Sequence, residues 1–188
     1  MELVVKHGLY TNGNVWGTDK EIIHGYVSSF YEDAFAKYRD KEINLIEVGV
    51  YRCFSIKMWR EYFPKAKIWA SDIEDDHFIP MDGVEYFCGD SYSDEMVSQH
   101  PNADIIIDDG PHTVESQILF LQKYLPKLNK GGTLVVEDVQ SGSDHVFNSF
   151  GDTVDMVGEL NGNEYDYEMI DTVGRETNKD NRLFVVTY

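Results

Sequence analysis

The chain has 188 residues, the size of a single domain. Hydrophobic residues make up 42% and charged residues 27%, a balance that excludes a disordered, collagen-like or coiled-coil chain. A formal charge of −18 gives a surface that repels phosphate backbones and anionic lipid, so nucleic acid and membrane are excluded as partners. No stretch approaches the roughly 18 apolar residues of a membrane span, and the residues from Met1 to Lys6 lack the basic-then-apolar layout of a signal peptide, which points to a cytoplasmic location. Cys53 and Cys88 form neither a disulfide framework nor a CxxC motif, and both read as small buried apolar side chains.

In chain order, the first pattern is a stripe of Ile22, Ile23, Tyr26, Val27, Phe30, Tyr31, Ala34, Phe35 and Tyr38, which predicts an amphipathic helix over 19–38. Short β-branched runs follow at 43–50, 67–73, 103–107 and 133–136, with a weaker one at 84–88. Helical spacing at 55–62 and 114–128 lies between them, and Gly131-Gly132 predicts a turn into the fourth run. Alternation of strand and helix predicts an α/β fold with a mostly parallel sheet. Helices are expected at 144–150 and 152–160, then an antiparallel pair at 165–173 and 182–188 joined through 174–181. No repeat or linker divides the chain. It reads as one domain, 1–188, with an N-terminal helical segment over 1–42, a core over 43–140 and C-terminal helices and strands over 141–188.

In an open α/β sheet, ligands sit beyond the carboxyl ends of the strands. Those ends carry Glu47 with Gly49, Asp72 with Glu74, Asp90, Asp108 with Asp109, and Glu137 with Asp138. Acids that directly follow apolar runs repel one another unless a metal ion or a cationic ligand lies among them. The first loop, Gly49 to Ser55, has one glycine and fails the GxGxxG pattern, which sets a dinucleotide dehydrogenase aside. Asp108 to His112 (DDGPH), with Glu137-Asp138, is more specific, because carboxylates from two strand ends and a nearby histidine can converge on one point. Such hard oxygen donors suit Mg²⁺ over Zn²⁺ and leave His112 free as a base. A lone histidine there would ordinarily be bonded to helix backbone; the neighbouring carboxylates favour the catalytic reading.

These motifs resemble the class I S-adenosylmethionine-dependent methyltransferases, particularly the metal-dependent macrolide-sugar O-methyltransferases and the related cephalosporin-hydroxylase-like branch. The resemblance runs from Gly17-Thr-Asp-Lys20 and His24-Gly-Tyr26, through residues 46–51 (IEVGVY) and 58–64 (MWREYFP), to 107–112 (IDDGPH) and 131–138 (GGTLVVED). It implies a Rossmann-like class I methyltransferase sandwich with an N-terminal helix and a C-terminal antiparallel strand pair, in which 43–140 is the cofactor- and metal-binding core. Glu47 and Gly49 would lie against the methionine part of S-adenosylmethionine, Asp72 would pair with its ribose, Asp90 would lie near its adenine, and Asp108 joins this cofactor set. Asp109, Glu137 and Asp138 would hold Mg²⁺, and His112 would act as general base with Asp109 beside it.

The reaction implied is methyl transfer to an oxygen of a small-molecule acceptor, a sugar or another vicinally hydroxylated compound. Cys53 and Phe54 stand where the family often has glycines, and their side chains are expected to crowd the cofactor's amino-acid end. The macrolide enzymes carry an additional N-terminal region, so the acceptor pocket here must come from the 19–38 helix, the 140–150 loop or a partner subunit of a homo-oligomer. The alternatives are a catalytically degenerate cofactor-binding scaffold of the same fold, for which Cys53 and Phe54 are the support, and a hydroxylase-like enzyme. The charge and the lack of an Asn/Asp-Pro-Pro-Tyr-type motif argue against nucleic-acid methylation. His145 reads as a solvated loop residue, and Trp16, Tyr26, Tyr31, Trp59 and Tyr62 as packing residues, with contact to the cofactor as the alternative for Trp16 and Tyr26, which flank the motif ahead of the first strand.

Overall fold

The computed structural model describes residues 17–21, 23–140, 144–172 and 181–188. Trp16, Ile22 and all but the last residue of the 174–181 connection lie outside them. Seven strands form one sheet: β1 (Asn44–Val48), β2 (Lys67–Asp72), β3 (Val84–Cys88), β4 (Ala103–Asp108), β5 (Leu128–Val136), β6 (Asp166–Asp171) and β7 (Arg182–Thr187). Their spatial order is β3-β2-β1-β4-β5-β7-β6. The first five are parallel, and β7 runs antiparallel between β5 and β6, as the C-terminal alternation predicts.

The parallel strands read as continuous apolar runs because both faces of the sheet are covered. Leu45, Ile105, Ile107 and Val135 point to one side, under Tyr31, Phe35, Trp59 and Phe63. Ile46, Ile106, Leu134 and Val136 point to the other, under Phe120, Tyr124, Phe150 and Val154. The first cover comprises the N-terminal segment, with a π turn Val27–Tyr31, α1 (Glu32–Phe35) and a 3₁₀ turn Ala36–Tyr38, together with α2 (Phe54–Tyr62). The second includes α4 (Val114–Tyr124) and α5 (Asp144–Asn161).

Four boundaries depart from the sequence reading. The N-terminal helix begins only after Gly25, whose φ of +71° ends a preceding turn. Helix α5 runs unbroken through Gly151, where a Cβ would lie 2.8 Å from the Tyr167 hydroxyl oxygen, so the glycine serves close packing of β6. Gly131-Gly132 lies within β5, with Gly131 at φ +82°. A short helix, α3 (Asp94–Gln99), follows β3 unpredicted; its Ser93 side chain caps it by accepting from the Met96 N–H. Cys53 is buried as expected, whereas Cys88 is exposed, because edge strand β3 is only partly covered. Among the described residues no helix is long and apolar enough to cross a membrane.

Candidate active site

Sheet order reverses direction between β1 and β4, and a cavity of about 730 Å³ opens beyond the strand ends there. Its wall takes Gly17 to Asp19 from the N-terminal segment, the first loop after β1, and the exits of β2, β3, β4 and β5. Gly49 opens the first loop at φ +80°. A Cβ there would lie 2.0 Å from the Asp109 carbonyl oxygen, so only glycine lets the β1 and β4 exits pass. Asp72 fixes the same loop: its Oδ2 accepts from the Val50 and Tyr51 N–H groups at 2.9 and 2.8 Å.

Cys53 supplies the left-handed turn (φ 59°) that a glycine would otherwise make, and its side chain faces the core. The expected crowding is therefore corrected for Cys53. Phe54, the first residue of α2, does form part of the cavity wall, without filling the space.

Asp109, His112 and Asp138 converge. One ligand atom from each lies within 4.8 Å of the others, and His112 Nε2 sits 3.4 Å from Asp138 Oδ2 and 3.9 Å from Asp109 Oδ1. His112 precedes the Thr113 cap of α4 with φ 57°, and Asp138 leaves β5 with φ 53°. Both take a backbone conformation that non-glycine residues seldom adopt. The Tyr26 hydroxyl holds Asp138 in place, donating to Oδ1 and accepting from the Asp138 N–H at 3.1 Å. His24 stacks on Tyr26 and lies 3.4 Å from the same carboxylate. Burial disfavours its charged form, but Asp19 and Asp138 outweigh that and raise its pKa to about 9.

The other expected site residues divide into wall and interior. Gly49, Asp72 and Asp90 lie on the wall. Glu47, Asp108 and Glu137 do not: each is at most 2% exposed and stands behind it. Asp108 accepts from the Tyr92 hydroxyl at 2.7 Å, and burial pushes its carboxyl up to about 7. Glu137 accepts from the Tyr31 hydroxyl and from the Lys20 ammonium. Lys20, 1% exposed, also donates to Asp109 Oδ2 at 2.8 Å and lies 3.4 Å from Glu47 Oε1. Burial alone would lower its pKa; Asp109, Glu137 and Glu47 instead hold it well above the usual value.

Sequence reasoning gave no site role to Lys20, His24 or Tyr31, and it gave Tyr26 only a contact with the cofactor as an alternative to packing, not the hold on Asp138. The signal available was tyrosine in place of phenylalanine at two positions of an apolar stripe, since a buried hydroxyl needs a partner.

No protein-family profile matches the chain. Among curated proteins it is 32% identical over 136 residues to 8-demethyl-8-alpha-L-rhamnosyl tetracenomycin-C 2'-O-methyltransferase of Streptomyces olivaceus, covering 66% of this chain and 36% of that one. It is 27% identical over 135 residues to demethylmacrocin O-methyltransferase of Streptomyces fradiae, covering 66% and 33%. Among solved structures, the MycE methyltransferase from the mycinamycin biosynthetic pathway, in complex with Mg, SAH and mycinamycin VI, superposes with a TM-score of 0.70 at 20% identity, over 99% of this chain and 53% of that chain. The fold is that of the class I methyltransferases, and in sequence the chain resembles their sugar O-methyltransferase branch. It spans about a third of the length of these two curated relatives.

Proposed function

We propose that the chain is an S-adenosylmethionine-dependent O-methyltransferase, assisted by a divalent cation, that acts on a hydroxyl of a sugar or another vicinally hydroxylated small molecule. The observation that carries this reading is the convergence of Asp109, His112 and Asp138 on the wall of a cavity at the sheet's switch point. A cavity of about 730 Å³ falls within the range of small-molecule and cofactor sites, roughly 300–1,000 Å³. The carboxylates of Asp109 and Asp138, with ligand atoms within 4.8 Å of each other, can share one cation at the usual metal–oxygen distances of about 2.1–2.6 Å, about half that span, and leave His112 beside it. Asp109 and Asp138 would be the oxygen ligands. Glu137, which the resemblance adds as a third, has its two oxygens engaged by Tyr31 and Lys20.

Asp109 and Asp138 would hold Mg²⁺, whose charge would bind and acidify adjacent acceptor hydroxyls. The protein's part is mainly positioning, because displacement at a sulfonium methyl requires the acceptor oxygen to be aligned behind it. His112 Nε2 takes the hydroxyl proton, and Asp138 and Asp109, at 3.4 and 3.9 Å, orient the ring. Asp72 holds the first loop against the cofactor, and the 17–19 segment shields one side from water. Asp19, Asp72, Asp90, Asp109 and Asp138 on the wall favour a cationic cofactor over a phosphate-bearing one. The scaffold alternative loses part of its support, because Cys53 turns away from the cavity.

A small-molecule acceptor remains the favoured partner, since the −18 charge opposes nucleic acid. Calorimetric titration with S-adenosylmethionine and S-adenosylhomocysteine, with and without Mg²⁺, tests the proposal directly. Micromolar binding of both is expected, and binding of neither refutes it.

A further inference from the structure

The acidic cluster at the β1, β4 and β5 exits has two tiers, and a lysine of the chain itself occupies the inner one. Lys20 Nζ is enclosed by Asp109 Oδ2, Glu137 Oε2 and Glu47 Oε1. Glu47 is fully buried, neither of its oxygens has a hydrogen-bond partner, and Lys20 is the cation it faces. Asp109 belongs to both tiers: Oδ2 accepts from Lys20 while Oδ1 faces His112 on the cavity side. We propose that Lys20 is a positioning residue that reserves the inner tier for its own ammonium and so confines a divalent cation to the outer tier, at Asp109 and Asp138 beside His112.

The argument is one of charge and place. Without the ammonium, Glu47, Asp109 and Glu137 would surround an oxygen-lined space suited to a hard cation. An ion there would lie behind the cavity wall, since neither Glu47 nor Glu137 reaches the wall, and no acceptor hydroxyl in the cavity could touch it. With Lys20 in place, the ammonium occupies the centre of the inner tier and offsets the charge that would draw an ion there. The side chain is committed to this position because its segment forms both the cavity wall, at Thr18 and Asp19, and the lead into the buried Tyr26 and Val27. Tyr31 completes the arrangement by holding the other oxygen of Glu137.

The inference rests on the cation-assisted reading above, and its test does not require turnover. Apparent Mn²⁺ affinity is measured at pH 8, by the electron paramagnetic resonance signal of the free ion, for the full chain, Lys20→Met and the double variant Lys20→Met/Glu137→Gln. Lys20→Met adds one net negative charge and opens the inner tier, so Mn²⁺ is expected to bind about tenfold or more tightly. The double variant restores the original formal charge and is expected to return to within about threefold of the parent.

Unchanged or weakened binding in Lys20→Met would overturn the proposal, since it would mean that the ammonium supports the outer site without competing for the ion. A more than tenfold loss in the double variant would also overturn it, by identifying Glu137 as a ligand. If Lys20→Met fails to fold, the charge-balanced double variant still separates the two cases. Failure of the parent chain to bind Mn²⁺ would bring down the cation reading itself, and this inference with it.

Discussion

His100 ends helix α3 and is not part of the cavity wall, and it predicts a measurable dependence of stability on pH. It is 2% exposed, with its ring edge-on to Phe87 at 5.1 Å and beside Tyr124. The Tyr124 hydroxyl donates to the Ser91 carbonyl oxygen, so it accepts from His100 Nδ1 at 3.1 Å. That fixes the tautomer with Nε2 unprotonated, and Nε2 is buried with no partner to receive a second proton. Burial, reinforced by the nearby Lys127 charge, lowers the His100 pKa from 6.5 to about 4.

Because the folded-state value lies below the unfolded one, the unfolded chain takes up the proton first as pH falls. The stabilisation is complete above pH 6.5 and is lost progressively towards pH 4. At about 1.4 kcal/mol per pH unit, about 2 kcal/mol is gone at pH 5 and about 3 kcal/mol at full loss. Urea unfolding at pH 7.5 and pH 5 measures the loss in the parent and in His100→Asn, which keeps a donor for Tyr124 and cannot titrate. All other groups contribute alike to both proteins, so the parent should lose about 2 kcal/mol more than the variant. Equal losses would show that His100 is protonated without penalty in the folded protein, and the reasoning from its orphaned nitrogen would fail.

Three further predictions concern the site. His112→Ala should lower kcat by about 10²- to 10⁴-fold with little change in acceptor KM, and unchanged steady-state kinetics would remove it as the base. Asp109→Ala should abolish cation-dependent turnover while calorimetric affinity for S-adenosylhomocysteine stays within about threefold, and parallel loss of both would contradict the separation of cation and cofactor residues. Gly49→Ala places a Cβ 2.0 Å from the Asp109 carbonyl oxygen at φ +80°. It should destabilise the protein by about 2 kcal/mol or more in urea unfolding, and a value within 0.5 kcal/mol of the parent, about the size of a neutral surface change, would refute the close approach.

Strand placement was legible in the sequence because burial of both sheet faces leaves uninterrupted apolar runs, and each run ends where polar residues leave the sheet. Residues 84–88 were placed to the residue although edge strand β3 is only partly covered, because Val84, Tyr86 and Phe87 favour extended backbone. The wall residues Gly49, Asp72, Asp90, Asp109, His112 and Asp138 followed from the rule that ligands gather at strand ends. That rule cannot say how far a strand-end acid stands from the cavity. Glu47 and Gly49 are two residues apart, yet the glycine lies on the wall and the glutamate wholly inside, because Glu47 is still within the paired part of β1. Glu137 and Asp138 divide in the same way: one continues the strand's inward alternation, and the other is turned outward by its left-handed backbone. Lys20 was hidden for a different reason. A buried lysine has no periodic signature, and its partners lie 27, 89 and 117 residues away, so only the folded chain could bring them together.

The backbone conformations around the cavity explain why the N-terminal segment and the strand ends must be read as one unit. Among the described residues, the non-glycine positions with positive φ are Tyr51, Cys53, His112 and Asp138, all in the exits of β1, β4 and β5. Each costs about 1–3 kcal/mol and persists only where its surroundings hold it. For Tyr51 the hold is Asp72, accepting from its N–H, and for Cys53 it is the core that receives its side chain. For Asp138 it is Tyr26, bonded to both its backbone and its carboxylate, and that tyrosine belongs to the segment carrying Lys20 and Tyr31. The 20–31 stretch therefore neutralises the inner acids and aims the outer one while burying Val27 in the same core. Its tyrosines fill apolar volume with their rings and fix carboxylates with their hydroxyls, so a stripe that looks like packing alone is also what shapes the site.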